Sequence, residues 1–285
     1  MTRARHLGLP ALLVATLVDP ACDSAAVRSS VPPPPSTTAP AGGAAFTHDT
    51  GCSGTAPAAT NADWEQQVIE LVNQQRKANG LPPLKHQPSL TEAARWYAKD
   101  MLDDDYFGPG HDTYDRSDGR LVRVCAWSAR IGAFYPGGNA LGENIGLGYS
   151  SPQEAVTGWM ASSGHRAKIL NGNFRETGVG YHPSASDGHC WVQDFGRRSE
   201  VYPVVINDEA ASTDDRRVIL YVNGSWSEIR IRNDGEAFSP WQPFTHTLAW
   251  TLADVGGLRT VDVEMRRGST TVTASDTTSL SLSRR

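Results

Sequence analysis

Apolar residues recur at helical intervals in the first part of the chain. One such segment opens near Asn61 and ends before Gly80, and a second keeps an apolar stripe from Leu90 to Leu102. We predict that the second helix begins at the capping box Ser89–Glu92, whose side chains can satisfy free backbone amides. Both stripes indicate helices that face a core, and we assign no chemistry to them.

A third helix has the clearest start signal, because Ser151–Glu154 is a capping box with proline at the first helical position. We expect Gly164 to take a left-handed conformation that ends this helix, so that His165 follows at a sharp turn. A histidine in that place can face Glu143, which lies in the glycine-flanked corner Gly142-Glu143-Asn144. A second histidine, His111, follows Gly108-Pro109-Gly110, so tight turns should fix its direction.

Strand patterns dominate the rest of the chain. Residues 178–182 and 190–196 predict an antiparallel hairpin, whereas residues 121–138 give mixed signals that we interpret as a short helix or turn and a surface loop. From about Val201 the chain carries short runs rich in Val, Ile and Thr, with turn signals at Asn223-Gly224 and Asp234-Gly235. The runs are Val201–Ile206, Val218–Val222, Glu228–Arg232, Thr247–Leu252 and Thr260–Met265. This spacing predicts an antiparallel β-sandwich over residues 200–285.

The N-terminus has the layout of a secretory signal. Arg3 and Arg5 precede the apolar run 7–18, which is too short to span a bilayer, so we predict a signal peptide over residues 1–26 and no transmembrane span. The small residues 24–26 offer a cleavage site and favour a secreted or cell-surface protein, and a lipid anchor at Cys22 is the alternative. Residues 27–60, rich in Pro, Ser, Thr, Ala and Gly, predict a disordered linker.

Charge and cysteine content narrow the partners and the compartment. The 285 residues have a formal net charge of -5, which argues against nucleic acid or an anionic membrane surface as the main partner. Export leaves Cys52, Cys125 and Cys190 in an oxidising compartment, where three thiols permit one disulfide. We favour the pair Cys125–Cys190, because both lie in one predicted domain, and a bond from Cys52 to either is the rival.

Several motifs then follow one another in a specific order. They are Leu-Val-Asn-x-x-Arg (71–76), Ala-x-x-Tyr-Ala (94–98), a histidine after an aromatic-Gly loop, Gly-Glu-Asn-Ile (142–145), Trp-x-x-Ser-x-Gly-His-Arg-x-x-Ile-Leu (159–170) and Gly-Val-Gly-Tyr (178–181). Residues 61–198 thereby resemble the CAP superfamily, which includes cysteine-rich secretory proteins, antigen 5 and plant pathogenesis-related proteins, and are similar to its bacterial secreted branch. Residues 200–285 resemble immunoglobulin-like or fibronectin-like modules.

The first resemblance implies an α+β fold, an α-β-α sandwich with a small antiparallel sheet and a cleft on one side. Two histidines and two glutamates line that cleft in many CAP proteins, and the histidines can bind a divalent metal. His111, Glu143 and His165 match three of the four positions, and Ser162 stands where the second glutamate is expected. The resemblance thus implies a ligand cleft at these four residues, with zinc or another divalent metal at His111 and His165 and no required cofactor.

We therefore predict an extracytoplasmic module that binds a small-molecule, lipid or envelope ligand. One rival is a hydrolase of peptide or envelope material, with Glu143 or a metal-bound water as base. Neither Gly-x-Ser-x-Gly nor His-Glu-x-x-His occurs, so no enzyme motif supports that rival, and Glu143 could equally lock two loops together. The other rival is a structural or adhesive surface protein. Trp226, Trp241 and Trp250 could form a carbohydrate platform or pack into the second domain.

Overall fold

The computed structural model of the protein describes residues 51–184 and 188–282. The predicted signal peptide, Cys22 and most of the predicted linker lie outside these residues. The end of the linker, residues 51–60, is held against the folded domain: Cys52 is bonded to Cys125, and the Thr60 hydroxyl donates to the Tyr181 carbonyl at 2.9 Å. The folded part therefore includes these ten residues.

Helices and strands alternate through residues 62–198. The elements are α1 (Ala62–Ala78), β1 (Lys85–His86), α2 (Pro88–Asp103), β2 (Thr113–Ser117), β3 (Arg120–Cys125), α3 (Trp127–Phe134), β4 (Gly138–Leu147), α4 (Pro152–Ala161), α5 (Ser163–Ile169), β5 (Glu176–Pro183) and β6 (His189–Arg198). None of the helices in the described ranges has the length and apolar character needed to cross a bilayer.

A four-stranded sheet forms the middle layer, in the order β1-β5-β6-β4. The predicted hairpin β5–β6 is confirmed, β4 pairs antiparallel with β6, and β1 pairs parallel with β5. One face packs residues of α2 such as Tyr97 against Val192, and the other packs residues of α1 and α4 such as Trp159 against Trp191. The helices thus cover both faces of the sheet, as the resemblance implied, and β4 is left as an edge strand.

Two glycines in β5 allow α2 to lie directly on the sheet. A Cβ atom at Gly178 would lie 2.1 Å from the backbone nitrogen of Thr91, and one at Gly180 would lie 2.2 Å from that of Arg95. Real Cβ atoms do not approach backbone so closely, so any side chain at these positions would force the helix away from the sheet. This close approach sets the position of α2.

Helix starts follow the predictions in one case and not in another. At α4 the Glu154 amide donates to the Ser151 hydroxyl at 3.2 Å, which confirms the predicted cap. At α2 the predicted capping box Ser89–Glu92 was wrong, because the helix already begins at Pro88 and the Gln87 side chain accepts from the Ser89 amide at 2.9 Å. Proline suits the first helical position, since its missing N–H needs no partner there.

The segment 121–138 also differs from expectation. The expected short helix is present as α3, but the residues before it form β3, which pairs with β2. Asp118 and Gly119 form the two-residue turn between these strands, with φ values of 50° and 75°. An Asp-Gly pair favours such a turn because both residues tolerate positive φ, so this hairpin could have been predicted.

The disulfide joins Cys52 to Cys125 at the end of β3. The preferred prediction, Cys125–Cys190, was therefore wrong, and the rival pairing of Cys52 with Cys125 is confirmed. Cys190 is a free thiol on β6, completely buried between α2 and the sheet, in a cluster that includes Ala94 of α2 and Val192 of β6. The side chain of Cys190 points into the core. Cys125 lies beside residues 51–60, so Cys52 can reach it.

Strands make up more than half of residues 204–282, which we call the C-terminal region. They are β7 (Val204–Ile206), β8 (Ser212–Thr213), β9 (Arg217–Val222), β10 (Glu228–Asn233), β11 (Gln242–Pro243), β12 (Thr247–Thr251), β13 (Gly257–Arg267) and β14 (Thr270–Leu280). A five-stranded sheet, β11-β10-β13-β14-β8, and a three-stranded sheet, β12-β9-β7, share one apolar core. All five predicted runs contain strands; β14 was missed because alternating Thr and Ser mask its pattern.

A left-handed turn at Asn207–Glu209 joins the C-terminal region to α1. All three residues have positive φ, a conformation that asparagine and aspartate tolerate better than most side chains. The Asp208 carbonyl accepts from Asn73 at 3.0 Å, and the Glu209 carbonyl accepts from Gln66 at 2.7 Å. Side chains of α1 therefore hold the turn through its backbone.

A buried ionic cluster connects the same parts of the molecule. Lys85 of β1 donates to Glu209 at 2.6 Å and to Asp276 of β14. Burial alone would lower the pKa of Lys85, but the charges of Glu209 and Asp276 outweigh it and raise that pKa. The C-terminal region thus packs directly on the edge strand of the first sheet.

Candidate functional site at the sheet edge

His111 lies in a strained backbone turn. Gly110 and His111 have φ values of 69° and 64°, and the His111 amide donates to the Gly108 carbonyl at 3.2 Å. Positive φ is uncommon for residues other than glycine, and such strain persists only where the surroundings impose it. The predicted tight turn therefore fixes the direction of the imidazole.

Glu143 holds the imidazole from beneath. It lies on β4 directly opposite Asp194 of β6, and its side chain is only 1% exposed. One carboxylate oxygen, Oε1, lies 2.9 Å from His111 Nδ1, and the other, Oε2, accepts from the guanidinium of Arg130. Both oxygens are thus engaged, and action as a general base would require one of these contacts to break.

Arg130 of α3 is the buried centre of this network. Its side chain is fully buried, with the guanidinium carbon 3.4 Å from the centre of the Tyr97 ring. Besides Glu143, it donates to the His111 carbonyl at 3.1 Å and to the Thr113 hydroxyl at 3.0 Å. Arg130 therefore fixes His111 through its backbone and, by way of Glu143, through its ring.

The electrostatics determine the tautomer of His111. Burial favours the neutral form of Glu143, but the charge of Arg130 and the hydrogen bond from His111 outweigh it and lower the pKa of Glu143. An ionised carboxylate only accepts hydrogen bonds, so His111 Nδ1 must donate. In the neutral ring, Nε2 is then the unprotonated nitrogen, free to accept a hydrogen bond or bind a metal.

Asp194 adds a second carboxyl group under the site. It is fully buried, and its side chain lies within hydrogen-bonding reach of Glu143. Burial, followed by the negative charge of Glu143, raises the pKa of Asp194 well above its usual range. These effects favour the protonated form of Asp194, so Glu143 is the carboxylate whose charge balances Arg130.

The helix α4 ends before His165, as predicted, but it ends at Ala161 and not at Gly164, and His165 lies inside the next helix, α5. The backbone of Ser162 is extended, with φ -87° and ψ 126°, and this single residue separates α4 from α5. Gly164 lies within α5 and takes no left-handed conformation. The extended backbone of Ser162 already redirects the chain, so the turn needs no left-handed glycine.

The Gly-Glu-Asn corner brings the two histidines to one edge. Successive residues of a strand point to opposite faces, so Glu143 faces α2 and Asn144 faces the other helical layer. Asn144 donates to the His165 carbonyl at 3.3 Å, while Glu143 holds His111. His111 and His165 therefore approach from opposite faces around the edge strand β4.

The two imidazoles also interact electrostatically. Burial, Lys168 and the charge of His111 together lower the pKa of His165 to about 4. His165 is therefore neutral at physiological pH, the form in which an imidazole binds metals. Ser162 is half-buried next to it and makes no capping hydrogen bond, so it contributes a neutral hydroxyl where the resemblance implied a carboxylate.

The donor atoms of His111, Glu143 and His165 do not form a three-residue metal site. Within the described ranges, Asp100, Asp104 and Asp115 are the one group of three whose ligand atoms all lie within 4.8 Å of one another, and His111, Glu143 and His165 form no such group. A carboxylate bonded to the far nitrogen of a histidine is the usual outer-shell support of a metal ligand. Glu143 has that arrangement.

Sequence reasoning missed Arg130, Asn144 and Asp194. Arg130 stands in the otherwise mostly apolar stretch 127–134, and an arginine inside a short apolar helix is a usable signal of a buried ionic partner. Asn144 lies in the predicted corner next to Glu143. Because successive strand residues point to opposite faces of the sheet, the sequence already indicated that the two side chains point in opposite directions. Asp194 carries no local signal, because only the register of β4 and β6 brings it beside Glu143.

The domain that contains this site is similar to known proteins. Residues 69–195 match the family model described as CAP, the cysteine-rich secretory protein family. The chain is 36% identical over 151 residues to the uncharacterized protein YkwD of Bacillus subtilis (strain 168), which covers 53% of this chain and 53% of that protein. The chain thus spans about half the length of this curated relative.

Two solved structures are similar to about half of the chain. One is an extracellular protein containing an SCP domain from Bacillus anthracis str. Ames, with 29% identity, a TM-score of 0.41, and coverage of 48% of this chain and 41% of that chain. The other is an outer surface protein from Borrelia burgdorferi, with 17% identity, a TM-score of 0.41, and coverage of 48% of this chain and 95% of that chain.

Proposed function

We propose that this is an exported CAP-domain protein that uses the His111–His165 edge to bind a ligand outside the cytoplasm. The match of residues 69–195 to the CAP family model supports the proposal. The observation that carries the proposal is the fixed imidazole of His111. Its Nδ1 is bound to Glu143, which leaves Nε2 as the ring nitrogen directed away from this support, and His165 interacts electrostatically with the same ring. Rigid support of one ring nitrogen presents the other in a defined direction.

A divalent metal such as zinc is the probe that this donor set favours. Neutral imidazoles are good zinc ligands, and a site with two protein ligands leaves coordination positions for a further ligand. In this proposal Glu143 and Arg130 are positioning residues, and Ser162 borders the site with a hydroxyl. The final ligand would be a small molecule, a lipid or a component of the cell envelope. We further propose that the C-terminal region is an immunoglobulin-like β-sandwich that serves as an accessory module.

Zinc titration by calorimetry tests the proposal. Wild-type protein is expected to bind one zinc ion per chain, and the double variant His111→Ala/His165→Ala is expected to lose this binding. His246→Ala is the matched control, because this exposed histidine lies in the C-terminal region. Zinc binding that survives in the double variant would contradict the assignment of the site. No binding by wild type at millimolar zinc would refute the metal, and the same variants would then test capture of envelope lipids by native mass spectrometry.

A further inference from the structure

The three tryptophans of the C-terminal region have different surroundings. Trp226 packs edge-on against Tyr202, with ring centres 4.8 Å apart, and its indole N–H donates to the Asn223 carbonyl. Trp241 lies against the guanidinium groups of two arginines, Arg230 at 4.7 Å and Arg266 at 4.2 Å. Trp250 packs against the core of the region, as Trp226 does, and it also lines a cavity. Packing, the second of the two predicted alternatives, therefore holds for Trp226 and Trp250, and Trp250 is the tryptophan that also borders a cavity.

The cavity of Trp250 is an open surface pocket bordered by strands of both sheets. Strands β9, β10 and β12 and residues 236–239 line a volume of about 500 Å³ that is open to solvent. Small-molecule sites in proteins have volumes of roughly 300–1,000 Å³ and combine apolar walls with a few polar groups. Here Trp250 and Ile231 supply apolar surface, and Arg217, Asn233 and Glu236 are among the polar groups. Size and lining are those of a ligand site.

Hydrogen bonds fix the orientation of Trp250. Its indole N–H donates to Asn233 Oδ1 at 2.7 Å, and Asn233 Nδ2 donates to the Thr251 carbonyl at 3.0 Å. The polar atom of the indole is thus satisfied within the protein, so the ring offers the cavity apolar carbon surface. A rigid aromatic wall loses little side-chain entropy when a ligand binds.

The charges around the cavity leave a small negative excess. Arg232 pairs with Asp262 at 2.8 Å and Arg217 pairs with Asp215 at 3.5 Å, while Glu236 adds one negative charge. Both arginines already have partners and Glu236 repels anions, so the cavity favours an uncharged ligand over an anionic one. Guanidinium, amide, carboxylate and hydroxyl groups together offer both donors and acceptors, which suits a ligand rich in hydroxyl groups.

We propose that this cavity is a binding site for a neutral saccharide. A sugar ring has an apolar C–H face that can lie on an indole and hydroxyl groups at its edge that can bond to planar polar side chains. The site is separate from the His111–His165 edge and stands independently of the function proposed above. It would give the C-terminal region a role of its own, the attachment of the protein to glycan.

Calorimetry with cellohexaose and chitohexaose as neutral probes tests this site on the full-length protein. Wild type is expected to bind at least one of them saturably, and Trp250→Ala should weaken binding at least about tenfold, as loss of a central aromatic contact does. Trp226→Ala is the matched control, since this half-buried tryptophan of the same region lies outside the cavity. Arg217→Ala should weaken binding several-fold without affecting folding, because the Arg217 side chain is 82% exposed.

Three results would overturn the proposal. They are the absence of saturable binding of both probes by wild type, equal binding by wild type and the Trp250 and Arg217 variants, and tighter binding of the anionic probe hexagalacturonate than of either neutral one. The double variant His111→Ala/His165→Ala should still bind saccharide. A failure of the saccharide proposal can therefore be told apart from a failure of the metal-site proposal.

Discussion

Replacing Arg130 by methionine isolates the role of the buried network. The change keeps an unbranched side chain of similar length but leaves Glu143, which is 1% exposed, as an unpaired buried carboxylate. Removing one partner of a buried ion pair costs about 3–5 kcal/mol. The lost hydrogen bonds to His111 and Thr113 act in the same direction, so Arg130→Met should lower the free energy of unfolding by about 4 kcal/mol or more.

A double-mutant cycle separates the ion pair from general packing. Adding Glu143→Gln removes the unpaired charge, so Arg130→Met/Glu143→Gln should recover about 2 kcal/mol relative to Arg130→Met alone. Arg123→Met is the matched control: its pair with Asp112 is half exposed, so its loss should cost much less than the loss of Arg130. Urea denaturation followed by circular dichroism measures wild type, Arg130→Met, Glu143→Gln, the double variant and Arg123→Met. A cost below about 1 kcal/mol for Arg130→Met, or no recovery in the double variant, would refute the reasoning.

Three further predictions follow from burial, the disulfide and close packing. Burial, partly offset by the hydrogen bond from Tyr106, raises the pKa of Asp100 from 3.8 to about 7. Between these two pH values Asp100 is ionised in the unfolded chain but protonated in the folded protein. The free energy of unfolding therefore falls as the pH rises through this range. Above pH 7, the free energy of unfolding of Asp100→Asn, measured by urea denaturation, should therefore exceed that of wild type by about 4 kcal/mol at most. Near pH 4 the two proteins should be equally stable. Replacing Cys52 and Cys125 by serine opens a loop with a sequence separation of 73 and should cost about 4 kcal/mol in urea denaturation. Gly178→Ala should cost about 3 kcal/mol in the same assay because its Cβ would meet the backbone of α2, whereas Gly164→Ala has open space and should be neutral or stabilising.

Controls define what would contradict these predictions. The Asp100 series is run with EDTA, so that no metal binds the neighbouring carboxylates, and Asp105→Asn, at a position 88% exposed, should show no pH-dependent gain. If the difference in free energy of unfolding between Asp100→Asn and wild type were the same at pH 4 and pH 8, it would contradict the assigned pKa. Peptide mapping under non-reducing conditions should find Cys52 linked to Cys125 and Cys190 as a free thiol; a linked Cys190 would contradict the fold. Equal stability of the two glycine variants would contradict the close approach of α2.

Local patterns predicted those parts of the fold that local physics determines. The stripe from Leu90 to Leu102 gave a helix because burial of one face follows directly from its spacing, and the cap at Ser151 followed from side-chain chemistry. The hairpin β5–β6 followed from alternation. The start of α2 was missed by one residue because a glutamine cap before Pro88 competed with the expected serine.

Long-range contacts account for what the sequence did not predict. The partner of Cys125 depends on where residues 51–60 pass over the folded domain, and no local pattern records that path. No local pattern records the contacts of Arg130 either, because its guanidinium bonds to His111, which lies 19 positions earlier in the sequence. The motif resemblance placed His111 and Glu143 in one cleft, but the reason that they stay fixed is the buried guanidinium between them.

The central claim is that Glu143, held by Arg130, fixes the tautomer of His111 and leaves Nε2 free beside His165. Nitrogen-15 NMR of the histidine rings at pH 8 tests it most directly, with His111→Ala used to assign the signals. The account predicts a protonated Nδ1 and an unprotonated Nε2 for His111, with the Nε2 signal moving on addition of zinc and the tautomer preference lost in Glu143→Gln. A His111 ring protonated at Nε2, or one unaffected by Glu143→Gln, would contradict the claim.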